Sequence, residues 1–345
     1  LLAWPADADV ADFCFTANSG RSHFACRIAV SGEGALQLAE ALAAVRRGEF
    51  HPGAFTGVDG PVAPQVGFLF PGQGPQYVGM GRRLWETSPV FRATLERASR
   101  ALDAFLPKPI LPLILGEPDA QGSLDETSFA QPAMFAIESA LAALWRSWGV
   151  EPAAILGHSF GEYAGAWVAG TVSLEDAALM VTARARLTGG LAPGGLMTVV
   201  EASEEEVKAV LRTRDGLTTI AAANGPRNTV ISGPRAEVET IAAEIAARGG
   251  RVKELRVSNA FHSPLIDPIL DAFESELGAV VFAEPAVTLV SSSRATVANL
   301  SLIGKPRYWR EHMRETVRFA DAMQVMQAQG LTHYVELSPH PVLLG

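Results

Sequence analysis

Short apolar runs alternate with longer segments of helical periodicity through most of this chain. The runs 66–70 and 152–157 are apolar throughout, as in strands that are buried on both faces. The segments 133–148 and 174–187 repeat apolar residues at helical spacing, and Pro132 stands just before the first, where a helix tolerates proline. This alternation predicts an α/β fold built on a parallel sheet.

The first 60 residues predict a separate small α/β unit. A strand is expected over 24–30 and a helix over 36–47. A loop rich in glycine and proline, 52–64, then separates this unit from the rest of the chain. We therefore place a domain boundary near residue 60.

Residues 190–257 have a different pattern, in which short strands and helices follow one another as in a ferredoxin-like module. The predicted elements are strand 196–201, helix 204–212, strand 218–223, strand 228–232, helix 236–247 and strand 251–257. We predict a small subdomain inserted into a larger α/β-hydrolase-like subdomain with a parallel sheet. The larger subdomain then comprises 61–189 and 258–345.

The remaining segments complete the larger subdomain. The predictions are helix 84–105 with a break at Ser88-Pro89, an irregular Pro-rich segment 107–112, strand 287–291, helix 319–329 and strand 332–337.

Composition narrows the class of protein. The chain has 345 residues, 48% hydrophobic and 19% charged, with a net charge of -9, which is typical of a globular protein and unfavourable for binding nucleic acid. Its two cysteines, Cys14 and Cys26, form no metal or disulfide spacing, so we predict no metal site and a cytoplasmic location. No apolar run could span a membrane, and the first residues resemble no signal peptide. Without an initiator methionine, we expect a piece of a longer chain.

The stretch 157–161, GHSFG, has the pattern of a nucleophile elbow, with a strand before it and a helix after it. In such a turn Ser159 is exposed and the N–H of Phe160 can stabilise a developing oxyanion. Glycines at both ends let the backbone pass closely. A chance Gly-Ser-Gly turn is the alternative, and the flanking elements favour the catalytic interpretation.

A serine nucleophile needs a base, and the chain contains seven histidines. We rank His262 first, because it follows the inserted module in a loop of small and turn-forming residues, although a structural histidine is equally possible for it alone. His158 is adjacent to Ser159 and should point away from it. Gln73, in the loop 71–76 after a buried strand, could supply a side-chain or backbone donor, or the loop could be a simple turn.

Six stretches together resemble the acyltransferase domains of modular type I polyketide synthases, which are related to malonyl-CoA:acyl carrier protein transacylase. They are FPGQG at 70–74, GHSFGE at 157–162, Arg184, NGP at 224–226, AFHS at 260–263 and LSPHP at 337–341. The resemblance covers nearly the whole chain, and residues 1–60 look like the linker between a ketosynthase and an acyltransferase.

The resemblance implies a role for each matching residue. Ser159 would be the acylated nucleophile and His262 its general base, oriented by a backbone carbonyl in a dyad without an acid. Gln73 and Phe160 would form the oxyanion hole. Arg184 would bind the free carboxylate of a malonyl-type group, a geometry that suits a guanidinium, although alone it could be a solvated helix arginine.

Substrate selectivity is implied by a second set of residues. The family motif often reads His-Ala-Phe-His for malonyl units and Tyr-Ala-Ser-His for methylmalonyl units. Here residues 259–262 read NAFH, so Phe261 agrees with malonyl and Asn259 with neither. Asn224 matches a position near the site. We predict that malonyl is preferred.

The resulting expectation is an acyltransferase that moves a malonyl-type group from coenzyme A through Ser159 to the phosphopantetheine of an acyl carrier protein. No tightly bound cofactor is expected, and the adjacent ketosynthase is a second partner. A serine thioesterase or hydrolase and a catalytically silent docking domain are the alternatives. Five basic residues either attract the acidic carrier or form a solvated helix face: Lys305, Arg307, Arg310, Arg314 and Arg318.

Overall fold

The computed structural model describes residues 9–60, 63–255, 257 and 259–344. The chain divides into two compact units, Leu1–Ala63 and Pro64–Gly345. Several of our sequence predictions reach positions outside the described residues: the first unit at 1–8, the loop 52–64 at 61 and 62, and the strand 251–257 at Arg256. The larger subdomain reaches them at 61, 62, Ser258 and Gly345. Within the described ranges, no helix is long and apolar enough to cross a membrane.

Within its described residues, the first unit contains two helices and a two-stranded antiparallel sheet. Its elements are α1 (Val10–Ser19), β1 (Cys26–Val30), α2 (Ala35–Arg47) and β2 (Ala54–Val58). The predicted strand and helix are found, but the predicted loop 52–64 was wrong in part because it contains β2. Antiparallel pairing of β1 with β2, which places Ile28 opposite Thr56, outweighs the glycine at position 57.

The second unit contains two sheets with helices packed around them. In chain order its elements are β3 (Val66–Phe70), α3 (Arg82–Thr87), α4 (Pro89–Asp103), α5 (Ile110–Leu115), α6 (Thr127–Ser147), β4 (Pro152–Gly157), α7 (Gly161–Val168), α8 (Leu174–Gly189), β5 (Gly195–Val200), α9 (Glu204–Leu211), β6 (Thr219–Gly225), β7 (Asn228–Pro234), α10 (Arg235–Ala247), β8 (Val252–Glu254), α11 (Asp267–Glu276), β9 (Thr288–Ser291), β10 (Thr296–Val297), α12 (Leu300–Ile303), α13 (Pro306–Arg314), α14 (Phe319–Ala328) and β11 (His333–Glu336).

The larger sheet has five strands in the order β10-β9-β4-β3-β11, and all neighbours are parallel except β10 and β9. Every residue of β3 is buried, as its apolar sequence predicts. The predicted α/β class is therefore confirmed. Because Phe70 pairs with Gly157 at the carboxyl ends of β3 and β4, the loops that follow these strands begin side by side.

The smaller sheet is antiparallel, with the strand order β6-β7-β5-β8 and the helices α9 and α10 in the connections. This is the order of elements expected for a ferredoxin-like module. Leu196, Val207, Ile231 and Val238 belong to the apolar cluster that forms its core. The boundaries that we assign to this subdomain stay a prediction.

Two helices differ from their predictions. The segment predicted as irregular contains α5, whose Pro112 is tolerated because the N–H groups of a first helical turn need no intrahelical acceptor. Helix α6 begins at Thr127 instead of Ala133, so Pro132 lies inside it. It is buried on nearly all sides and is not amphipathic, and this packing stabilises a helix that proline alone would interrupt.

Candidate active site

Ser159 lies in the sharp turn between β4 and α7. Its φ angle is 50°, a left-handed conformation that costs a residue other than glycine about 1–3 kcal/mol. A Cβ at Gly157 would lie 2.1 Å from the Glu162 nitrogen, and one at Gly161 would lie 2.2 Å from the Phe70 oxygen. Both positions therefore require glycine because the backbone passes so closely. The local geometry is that of a strained nucleophile elbow.

Ser159 is hydrogen-bonded to His262. The Ser159 Oγ lies 2.7 Å from His262 Nε2, and His262 Nδ1 lies 2.7 Å from the backbone oxygen of Glu315. A carbonyl oxygen can only accept, so Nδ1 carries the proton and Nε2 accepts from the serine hydroxyl. The histidine is thus held in the tautomer that can remove the proton of Ser159.

Burial holds the pKa of His262 well below 6.5, and the positive charge of Arg184 lowers it further. The side chain is almost fully enclosed, since His262 is only 3% exposed. The hydrogen bond to Glu315 acts in the opposite direction but does not outweigh burial. At neutral pH the imidazole is therefore uncharged and available as a base.

Gln73 and Phe160 are the two predicted oxyanion donors. Within the described residues, neither backbone N–H has a hydrogen-bond acceptor. The side chain of Gln73 is not free: its Nε2 donates to Thr127 Oγ1 at 3.4 Å, and its Oε1 accepts from Gln131 Nε2 at 3.2 Å. Of the two donors that we considered for Gln73, only the backbone N–H remains available.

Arg184 is buried on α8, with 1% of its surface exposed. Its Nε and Nη1 atoms have no hydrogen-bond acceptor among the described residues. The guanidinium carbon lies 5.3 Å from the ring centre of Phe160 and 5.5 Å from those of Tyr163 and Phe261. Burial lowers the pKa of Arg184, but an arginine stays charged under these conditions. We call this group of Arg184 and three rings the arginine cage.

The solvated-helix alternative for Arg184 was wrong. Two residues further along the same helix, Arg186 does fit that description: it is exposed, and its Nη2 lies 2.5 Å from Glu276 Oε1. Residues two positions apart lie on different faces of a helix, which agrees with this arrangement.

The remaining predicted residues surround this site. Phe261 is buried against Arg184, and Asn259 is buried with its Oδ1 3.3 Å from Thr127 Oγ1. Asn224 Oδ1 lies 2.8 Å from His158 Nε2, so His158 is directed toward β6 and not toward Ser159, as expected. Burial lowers the pKa of His158, which leaves its ring uncharged.

A buried polar network next to the elbow was not predicted from the sequence. Glu162 Oε2 accepts from the Ser292 nitrogen at 2.8 Å and from Ser292 Oγ at 2.6 Å, and Glu162 Oε1 accepts from Tyr308. His312 Nε2 lies 3.2 Å from Glu162 Oε2. A glutamate inside the apolar segment 161–170 is the signal that could have revealed a paired buried carboxylate.

Gln131, Thr127 and Glu315 were also missed. Glu315 contributes through its backbone carbonyl, for which a sequence carries no signal.

The basic residues near the C-terminal end do not form a free positive surface. Arg307 pairs with Glu311, Arg310 with Asp271, Arg314 with Asp267 and Arg318 with Glu204. Carboxylates of the same chain thus neutralise four of the five residues. This supports the solvated-face alternative for them.

Comparison with known proteins identifies the family. Residues 67–345 match the family described as acyl transferase domain, and residues 2–42 match the one described as CurL-like, PKS C-terminal. The chain belongs to the acyl transferase domain family. The predicted resemblance to the acyltransferase domains of modular polyketide synthases is therefore confirmed.

Several relatives are much longer than this chain. Polyketide synthase GfsA of Streptomyces halstedii is 41% identical over 99% of the chain, and erythronolide synthase EryA2 of Saccharopolyspora erythraea is 38% identical over 100% of it. The chain spans only 5% of the first and 10% of the second.

Solved structures show the same fold. The acyltransferase domain from the second module of the salinomycin polyketide synthase has a TM-score of 0.85 and 37% identity, over 99% of this chain and 85% of that one. FabD from Acinetobacter baumannii has a TM-score of 0.74 and 27% identity, over 82% of this chain and 90% of that one.

Proposed function

We propose that this chain transfers a malonyl-type group from coenzyme A to Ser159 and then to the phosphopantetheine thiol of an acyl carrier protein. The observation that carries the proposal is the pairing of Ser159 Oγ with His262 Nε2 at 2.7 Å, together with the buried Arg184, whose Nε and Nη1 have no acceptor in the part of the chain that the structure describes. Family membership supports an acyltransferase, and the geometry supports the choice of residues.

In the first half-reaction, Ser159 Oγ attacks the carbonyl carbon of the thioester while its proton passes to His262 Nε2. The negative charge that develops on the carbonyl oxygen is stabilised by the free N–H groups of Gln73 and Phe160. When the tetrahedral intermediate collapses, the C–S bond breaks and the coenzyme A thiolate takes the proton from His262. The product is an ester of Ser159.

The second half-reaction reverses these steps with a different thiol. The thiol of the carrier's phosphopantetheine gives its proton to His262 and attacks the ester carbonyl. The C–O bond to Ser159 breaks, and the serine oxygen recovers a proton from His262. Glu315 accepts a hydrogen bond from His262 Nδ1 throughout and so stabilises the imidazolium in both halves.

The arginine cage supplies the preference for a malonyl-type group. A free carboxylate can accept from both Nε and Nη of Arg184 at once, and such charged hydrogen bonds are worth about 1.5–3 kcal/mol each. Phe261 supplies the preference for malonyl over methylmalonyl, because its ring lies against Arg184 and leaves less room for an α-methyl group. We assign no tightly bound cofactor.

The hydrolase alternative is less well supported. The triad of an α/β-hydrolase contains an acidic partner for its histidine, whereas His262 Nδ1 donates a hydrogen bond to a backbone carbonyl. The unpaired Arg184 has no role in a general hydrolase. A silent docking domain would have no need for the strained serine.

We also assign a role to each part of the chain. Residues 1–60 serve as the linker to a ketosynthase, which the match of residues 2–42 supports. Residues 61–189 and 258–345 form the large acyltransferase subdomain, and 190–257 form the small one.

The test is acylation by malonyl-CoA, followed by the mass of the intact protein. Ser159→Ala should abolish the adduct, whereas Ser232→Ala, at a buried serine on β7, should keep it. His262→Ala should slow acylation by about 10²–10⁴, the usual worth of general-base catalysis. An adduct on Ser159→Ala would refute the nucleophile.

A second measurement separates the transferase from the hydrolase. In single turnover, a holo carrier protein should discharge the acyl-enzyme faster than water does. Equal rates with and without the carrier would favour the hydrolase.

A further inference from the structure

Four polar side chains form one chain of hydrogen bonds from the oxyanion loop to the selectivity motif. Gln131 Nε2 donates to Gln73 Oε1 at 3.2 Å, Gln73 Nε2 donates to Thr127 Oγ1 at 3.4 Å, and Thr127 Oγ1 donates to Asn259 Oδ1 at 3.3 Å. Thr127 and Gln131 lie four residues apart on α6, so they share one face of that helix. We call these four residues the amide relay.

Each member of the amide relay donates to the next one, and the last acceptor is Asn259. Asn259 therefore determines how the preceding donors are oriented. A threonine hydroxyl has one proton, and in this arrangement Thr127 gives it to Asn259 while its lone pair accepts from Gln73. Hydrogen bonds in such a chain polarise and strengthen one another. The carboxamide oxygen of Asn259 therefore fixes the rotation of the Thr127 hydroxyl, which in turn fixes the Gln73 side chain.

We propose that Asn259 is a positioning residue that holds the backbone N–H of Gln73 in the oxyanion hole, acting through Thr127. This proposal rests on the proposed function, because it gives Asn259 a second task besides lining the acyl pocket. The residue that departs from both family motifs thereby contributes to the rate for every acyl group, and not only to the choice among them.

The Gln73 loop needs such support from its side chain. Gln73 stands between Gly72 and Gly74, and glycines restrict the backbone less than any other residue. An oxyanion donor acts only when its N–H is aimed in advance at the position of the developing charge. The side chain of Gln73 is anchored at both of its polar atoms, and these anchors limit the rotation of the adjoining peptide groups.

The relay distances of 3.2–3.4 Å lie at the long end of the range for protein hydrogen bonds. The oxyanion that the Gln73 N–H would stabilise develops only on the way to the transition state. The relay thus contributes to turnover more than to binding of the thioester. A residue that only lines the pocket would instead change the relative acceptance of different acyl groups.

The test compares Asn259→Ala and Thr127→Val in steady-state acylation with malonyl-CoA and methylmalonyl-CoA. Each variant should lower kcat by about five- to tenfold, the usual effect of losing one neutral hydrogen bond, and leave KM nearly unchanged. The loss should be equal for both acyl groups. The double variant should be no worse than either single one, since both break the same chain.

Two further variants control for general damage. Thr127→Ser keeps the hydroxyl and should restore most of the lost rate. Thr171→Val makes the same replacement at another fully buried threonine, outside the relay, and should leave kcat unchanged.

The proposal is overturned if Asn259→Ala changes only the ratio of malonyl to methylmalonyl, or if the effects of Asn259→Ala and Thr127→Val multiply in the double variant. Either result would mean that Asn259 does not position Gln73 through Thr127. Failure of the proposed function has a different signature, because the unaltered protein would then form no adduct at Ser159.

Discussion

Two charged side chains beside the nucleophile are fully buried, and the protein treats them in opposite ways. Glu162, three residues after Ser159, accepts hydrogen bonds from Ser292 and Tyr308 and lies 3.2 Å from His312. Arg184, on the next helix, has two nitrogens without an acceptor in the described part of the chain. The paired charge contributes to the stability of the fold, whereas we propose that the unpaired charge binds the carboxylate of a substrate.

The two buried charges also differ in the free energy that their burial costs. A buried charge without a partner costs several kcal/mol, so evolution rarely leaves one in place for stability alone. Three aromatic rings contact the guanidinium of Arg184, and cation–π attraction offsets part of this cost. A carboxylate that enters the arginine cage recovers the rest. The same reasoning explains why burial raises the pKa of Glu162 while its partners hold that pKa below 4.5.

The largest expected effect is the loss of stability when Glu162, the paired buried charge, is replaced. Glu162→Ala removes a carboxylate that satisfies Ser292, Tyr308 and His312, and loss of one member of a buried ionic network typically costs about 3–5 kcal/mol. The free energy of unfolding, measured in denaturant, should fall by this amount. The control is Glu175→Ala at an exposed glutamate in the first turn of α8, which should change it by less than about 0.5 kcal/mol. Equal effects of the two variants would remove Glu162 from its structural role.

Replacing Arg184, the unpaired buried charge, should lower acylation without lowering stability. Arg184→Leu should leave the free energy of unfolding unchanged or raise it, because an unpaired buried charge is lost. Acylation by malonyl-CoA should fall by at least about ten- to more than a hundredfold, the worth of one charged hydrogen bond. Arg186→Leu, at the exposed arginine on the same helix, is the matched control. A stability loss with unchanged acylation would contradict the assignment.

Replacing Phe261 should have a smaller effect, on the selectivity between acyl groups. Phe261→Ser opens space beside the arginine cage, and an additional methyl group in a pocket is worth about 1–3 kcal/mol. The ratio of methylmalonyl to malonyl acylation should therefore rise, by roughly tenfold at the lower end of that range. The measurement is competition between the two thioesters. If the ratio stays constant, the α-carbon of the acyl group does not lie against Phe261.

The smallest expected effect is a change in pH dependence. The pKa of His262 lies well below 6.5 in the folded protein, so between that pKa and 6.5 the unfolded chain binds more protons. His262 therefore contributes a loss of stability as pH falls through this window. The kcat/KM for acylation should stay level from neutral pH to below 6.5 before it declines.

Arg184 also affects the pH dependence of acylation. Its charge lowers the pKa of His262, so Arg184→Leu should shift the acid limb of kcat/KM toward higher pH. Identical acid limbs in the two proteins would show that the two groups do not interact.

Much of this site could be predicted from the sequence because its signals are local. The elbow is a short motif between a strand and a helix, and the crowding that requires Gly157 comes from Glu162, five residues away. The two buried strands β3 and β4 follow from two apolar runs in an α/β pattern. Arg184 was identified by resemblance alone, because no local pattern distinguishes a buried helix arginine from a solvated one.

The remaining features depend on contacts between distant segments. Glu162 meets Ser292 across 130 residues, and Thr127 meets Asn259 across 132. The extent of α6 was misjudged because burial on all sides stabilises a helix that contains Pro132. The sequence also carried no sign that the side chain of Gln73 is already bonded.

The most direct test of the arginine cage is a competition among equimolar malonyl-, methylmalonyl- and acetyl-CoA, with the mass of the intact protein as the readout. We expect a malonyl adduct to dominate, a smaller methylmalonyl adduct, and little acetyl adduct because acetyl has no carboxylate for Arg184. All adducts should be absent from Ser159→Ala. A dominant acetyl adduct would contradict the central claim that the unpaired charge of Arg184 selects the acyl group on Ser159.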